Sequence, residues 1–147
     1  MGRMARVGSL ARVCGGVVLA EAETLMAQRC FLFVGERRSP RAIRMGVRLQ
    51  DGRLAGRSLF DALEVCNINP QDHLYANLFE RRGFAWLRKH EASGVTIVAM
   101  GRKVQAALTR AGIPHRSLVH PAARGAIRRK RRYAAHVRHV LTRKEAT

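Results

Sequence analysis

Four positions in this chain carry residue types from which bond-breaking sites are made, and each lies at or just past the end of an apolar run. Glu36 follows Gly35 at the end of "CFLFV" (residues 30–34), with Arg37 and Arg38 behind it. Asn77 falls late in "HLYANLF" (73–79), Gly101 follows "VTIVAM" (95–100), and His120-Pro121 follows "HRSLV" (115–119). A carboxylate can stabilise a cation or orient water, and an imidazole can donate to a developing anion. A side-chain amide offers both a donor and an acceptor. Arg37 and Arg38 would favour an ionised Glu36. Each residue alone also has an ordinary explanation: Glu36 paired with an arginine, Asn77 capping a strand end, His120 held in a loop by Pro121.

The elements that must position these groups are legible in the pattern. Continuous apolar runs such as 30–34 and 95–100 suit strands buried on both faces and should lie centrally in a sheet. Strands are expected at 30–34, 73–78, 95–100 and 115–119. Helices are expected at 56–68, with Ser58 as N-cap and Leu59, Phe60, Leu63 and Cys66 inward, and at 83–93 and 102–112. The last of these ends at Gly112 before Pro114. A C-terminal helix is expected from near Arg124, with Ile127, Tyr133, Val137, Val140 and Leu141 facing the sheet. Residues 36–55 read as a long irregular connection, which in a compact domain is usually functional. Strand-helix alternation with short links implies right-handed βαβ units and a parallel sheet. Ligands of open parallel sheets bind outside the carboxyl ends of the strands. Gly35-Glu36, Asn77, Gly101 and His120 then converge on one edge, and together they point to a site.

Composition sets the partner class. Lys plus Arg number 28 against 10 for Asp plus Glu, a formal charge of +18. Such an excess costs self-repulsion and favours a polyanion, with nucleic acid the first candidate. An acidic membrane surface or a generally basic proteome would also account for it. Cys14, Cys30 and Cys66 form no C-x-x-C pair, and their odd number fits free thiols in a reducing cytosol. Residues 1–25 imitate a signal peptide, but Arg12 interrupts a short apolar run. They read as an extension or misassigned start, with the domain at 26–147; an N-terminal helix is the alternative. No later segment is long enough to span a bilayer.

The blocks "FLFVGERRSP", "DGRLAGRSLFDAL", "LYANLF", "TIVAMGRKVQAAL" and "LVHPAARGAIRRKRRYAAHV" resemble, in order, those of the uracil-DNA glycosylase superfamily. The likeness is closest to its thermophile-type, iron–sulfur branch. It implies a three-layer α/β/α fold with a four-stranded parallel sheet of order 2-1-3-4. It implies excision of a flipped uracil or related damaged base from single- or double-stranded DNA, as part of base-excision repair. By the same resemblance Glu36 and His120 are catalytic, and Gly35 and Asn77 bind the base. Arg37, Arg38, Arg124, Arg128, Arg129 and Arg132 are the expected DNA-binding residues. The implied setting is a cytoplasmic monomer, associated with the nucleoid through DNA.

The sequence departs from that pattern in several places. Arg37-Arg38-Ser39 replaces the Ala-Pro-Gly expected after the Glu, Ala122 replaces the Ser of His-Pro-Ser, and Arg124 takes the wedge position. The base-stacking aromatic has no counterpart; Leu49 and Leu54 are the nearest candidates, and Leu54 is the one expected to bind the base. The cluster cysteines are missing, so no iron–sulfur cluster, metal or other cofactor is expected. His136 and His139, three apart on a helix without a partner ligand, read as surface residues, and Trp86 as packing. A catalytically silent nucleic-acid-binding relative remains an alternative, and a nucleoside or nucleotide hydrolase or transferase a weaker one.

Overall fold

The structure is a computed structural model describing residues 29–80 and 83–143. The expected 1–25 extension and Cys14 lie outside the described residues. Four strands, β1 (Phe31–Gly35), β2 (Leu74–Asn77), β3 (Thr96–Met100) and β4 (Arg116–Leu118), form one all-parallel sheet of order β2-β1-β3-β4. The α-helices are α1 (Pro40–Met45), α2 (Ala55–Val65), α3 (Gly83–Ala92), α4 (Arg102–Arg110) and α5 (Lys130–Thr142). The sheet is sandwiched between helices, as its sequence pattern requires.

The two central strands are the two apolar runs. Side chains alternate across a strand, so β1 serves two cores at once. Phe31 and Phe33 join Leu59 and Leu63 of α2 and Val137, Val140 and Leu141 of α5. Leu32 and Val34 face the other way, onto Leu87 of α3 and Val104 and Leu108 of α4. β1 is buried along its whole length, which is why its run shows no polar alternation.

Several expected boundaries move, each for a local reason. β1 starts at Phe31 and keeps Gly35, because Gly35 still pairs with Asn77. The 36–55 connection is not irregular throughout: it holds α1 and a 3-10 turn at Leu49–Asp51. Ser39 caps α1 by accepting from the Ala42 N–H at 3.1 Å, Pro40 follows at the first helical position, and Gly46 closes the helix at φ 67°. That Ser-Pro…Gly signature was present in the sequence. In α2 the N-cap position belongs to Leu54, with Ser58 already inside the helix, and the helix ends at Val65. Phe60 is only half-buried, against Tyr75. The last helix begins at Lys130 rather than near Arg124, because Gly125 at φ 95° and a 3-10 turn at Ala126–Arg128 interrupt the chain first. Ile127 therefore packs on the core from that turn and not from α5. Among the described residues no helix is long and apolar enough to cross a membrane.

Candidate functional site at the carboxyl edge

Parallel pairing aligns the carboxyl ends of the strands, so the residues after them share one edge. Gly35 and Asn77 are register partners on β1 and β2. A Cβ placed on Gly35 would stand 3.0 Å from Asn77 Oδ1, 3.7 Å from Met100 Cε and 3.9 Å from Leu49 Cδ2. The hydrogen at position 35 thus lets the Asn77 amide lie close against the strand end. The chain is pinned just beyond: the Leu78 N–H donates to Gly35 O at 2.8 Å, and the Phe79 N–H to Glu36 O at 3.0 Å.

Glu36 is half-buried, and its carboxylate is 3.5 Å from Lys103 Nζ in the first turn of α4. The arginines expected to hold Glu36 ionised are engaged elsewhere. Arg38 pairs with Glu80, whose carboxylate also accepts from the Arg38 N–H at 3.0 Å, and Arg37 lies 5.9 Å above the Phe79 ring. Lys103, from the β3–β4 crossover, is the cation that pairs with Glu36 among the described residues.

His120 stands beyond β4 against Gly101, whose absent Cβ would come within 3.6 Å of the His120 Cβ and 3.8 Å of Cδ2. Gly101 has φ 95°, a conformation costly for residues with a side chain, so both the turn into α4 and the room for His120 call for glycine. His120 Nδ1 accepts from the Ala122 N–H at 3.0 Å. The neutral ring therefore carries its proton on Nε2. Burial lowers the pKa of this histidine below its ordinary value, and the Glu36 carboxylate pulls the other way.

The remaining expected site residues are dispersed. Leu49, rather than Leu54, is the leucine beside Gly35. Leu54 occupies the N-cap of α2 at φ 55° and ψ −124°, an unusual backbone conformation for a leucine. Arg124, Arg128, Arg129 and Arg132 are exposed. Arg128 borders a small pocket of about 60 Å³ beside His120, lined also by Ser58, Asp61, Lys130 and Tyr133; neither Glu36 nor Asn77 lines it.

Sequence reasoning missed four residues that organise this edge. Lys103 is one. Gln105 donates from Nε2 to Ala99 O at 3.2 Å and to Leu118 O at 3.0 Å, tying β3 to β4. Tyr133 Oη donates to Val119 O, and His136 is not a surface residue: it is half-buried and accepts from the Val119 N–H at Nε2. The i, i+3 spacing of Tyr133 and His136 was visible, but nothing in it named their target.

Positive charge gathers at the helix N-termini of this edge, offset at Lys130 by the Asp61 carboxylate 3.7 Å away. None of the α-helices described has an acidic residue in its first turn. Arg129 at the N-cap of α5 gives no side-chain cap, and Lys130, Arg131 and Arg132 follow it. Cations at a helix N-terminus oppose its dipole, and an anion there would relieve them. Among the described residues no group of three or more His, Cys, Asp or Glu is placed to hold a metal ion.

The fold and edge define an open α/β protein with polar groups gathered at the carboxyl ends of its strands. No protein-family model matches the chain, and no curated protein matches it significantly.

Proposed function

We propose that the protein is a monofunctional DNA glycosylase that hydrolyses the N-glycosidic bond of a flipped uracil or related damaged base. The observation that carries this reading is the alignment, along one sheet edge, of a carboxylate, an amide and an Nε2-protonated imidazole (Glu36, Asn77 and His120). As the bond from sugar to base breaks, the base leaves with the electron pair and the sugar becomes cationic. Glu36 stabilises that cation, orients the water that adds to the anomeric carbon and takes the proton it gives up, and the departed base anion regains a proton from solvent. Asn77 pairs with the adjacent N–H and carbonyl of the base. His120 Nε2–H donates to the carbonyl that gathers negative charge.

The substrate must be unstacked first, and positive helix ends with the exposed arginines of the C-terminal region supply the phosphate contacts. The protein would act as a monomer, cytoplasmic and bound to the nucleoid through its DNA. A catalytically silent nucleic-acid binder is the second reading. It is favoured by the engagement of Glu36 with Lys103 and by a pocket beside His120 that takes in neither Glu36 nor Asn77.

Release of free base from uracil-containing single- and double-stranded oligonucleotides separates the two. Glycosylase chemistry requires release, and Glu36→Gln should lower its rate on the order of 10²–10³-fold, as removal of one such electrostatic contact does. Binding without release from any tested oligonucleotide, unchanged by Glu36→Gln, would establish the silent relative.

A further inference from the structure

β4 is an edge strand, and the residue just past it has no neighbouring strand to satisfy its backbone. We propose that Tyr133 and His136 form a two-point clamp on the Val119 backbone, and that this clamp positions the His120 imidazole. Tyr133 Oη donates to Val119 O at 2.9 Å, and His136 Nε2 accepts from the Val119 N–H at 3.0 Å. Residues three apart on a helix are neighbours on one face, and the two rings lie 6.3 Å apart between centroids. α5 thus presents an acceptor and a donor side by side, as a fifth strand would.

The carbonyl one residue earlier is already taken, since Leu118 O accepts from the Gly101 N–H at 3.0 Å and from Gln105 Nε2 at 3.0 Å. The peptide groups leading into His120 are therefore held from Gly101 and α4 on one side and from α5 on the other. Beyond them the ring is fixed by the Ala122 N–H on Nδ1 and by contact with Gly101. Tyr133 and His136 are positioning residues: they act on His120 through one residue of backbone. Because His136 accepts at Nε2, it serves the clamp with its own proton on Nδ1.

The role assigned to His120 rests on the glycosylase reading; the clamp itself can be tested without turnover. The experiment measures Val119 amide hydrogen exchange and the 15N signature of the His120 ring in the full chain, for wild type, Tyr133→Phe, His136→Leu and His136→Gln. Tyr133→Phe keeps the ring that fills the core, and His136→Gln keeps an acceptor. Tyr133→Phe and His136→Leu should each speed Val119 exchange at least about tenfold relative to Leu118, and should weaken the Nδ1 acceptor signature of His120. His136→Gln should restore both toward wild type. A helix-packing role alone would instead raise exchange across α5 together and leave the His120 ring signature unchanged; that result overturns the clamp. If wild type releases base, kcat should fall about tenfold in Tyr133→Phe with KM nearly unchanged. If wild type releases none, the glycosylase reading fails while the ring signature still decides the clamp.

Discussion

The two ends of the candidate edge are built differently. At the β1–β2 end, Gly35 and Asn77 are register partners in the sheet, so the ladder itself sets their separation. At the β4 end, His120 lies beyond the last paired residue, and its approach is fixed by side chains of α4 and α5. A strand end in the middle of a sheet inherits its geometry from backbone pairing. A residue past an edge strand must borrow geometry from a helix, and so depends on where that helix docks.

The docking of α5 offers the largest handle on this contrast. Arg116 is buried in β4, and its guanidinium donates to Val140 O at 2.8 Å and Leu141 O at 3.0 Å in the last turn of α5. The cation is well placed for the negative end of the helix. Arg116→Leu leaves those carbonyls without these donors and should cost about 2–4 kcal/mol in urea unfolding. It should disturb His120 far more than Asn77 in chemical shift. A loss below about 0.5 kcal/mol, or equal shifts at both ends, would break the contrast.

Gly35→Ala probes the ladder-built end. The new Cβ meets Asn77 Oδ1 at 3.0 Å, so the amide must give by a few tenths of an ångström. A cost of about 1 kcal/mol is expected from overpacking, with Asn77 displaced and the His120 ring unaffected. Equal disturbance of His120 would mean that the two ends are mechanically one.

Acid should sharpen the comparison. His136 and His120 each accept a backbone N–H at the β4 end, while at the opposite edge of the sheet His73 Nδ1 accepts from the Phe31 N–H at 3.1 Å. Burial lowers the pKa of all three below 6.5. The unfolded chain therefore takes up protons first as pH falls. Their contribution is complete above pH 6.5 and lost as pH drops through the depressed folded values. The urea midpoint should fall between pH 7.5 and pH 5, by less in a His73→Gln variant. A flat midpoint would show that none of these neutral acceptors matters to stability.

The smallest effect on the fold is expected from the exposed arginines. Replacing Arg128, Arg129 and Arg132 by Ala should leave the unfolding midpoint nearly unchanged. If each contacts a phosphate of duplex DNA, the slope of log affinity against log salt should become shallower by roughly 2.7 in total. An unchanged slope would move the phosphate contacts elsewhere on the protein.

The sequence by itself determined the parallel sheet, its two central strands and the places where chemistry-bearing residues leave them. The reason is that period, apolar runs and glycine punctuation are local signals of burial and turning. α1 was missed inside the 36–55 connection, although Ser39, Pro40 and Gly46 carry its start and stop signals; at six residues it is too short to show a helical period. The start of α5 was harder, because "AARGAIRRK" carries helix-forming residues and only the backbone at Gly125 interrupts them. Which cation faces Glu36 was decided by tertiary structure alone. Sequence adjacency favoured Arg37 and Arg38, yet Glu80 and Phe79 draw them off and the α4 crossover brings Lys103. The same holds for Arg116, whose place in a strand of the sequence says nothing of its burial under the end of α5. Tyr133 and His136 were visible as neighbours on a helix, but a helix face acquires a target only when it docks. Local patterns record which side chains leave water; they do not record which distant backbone group will need a partner there.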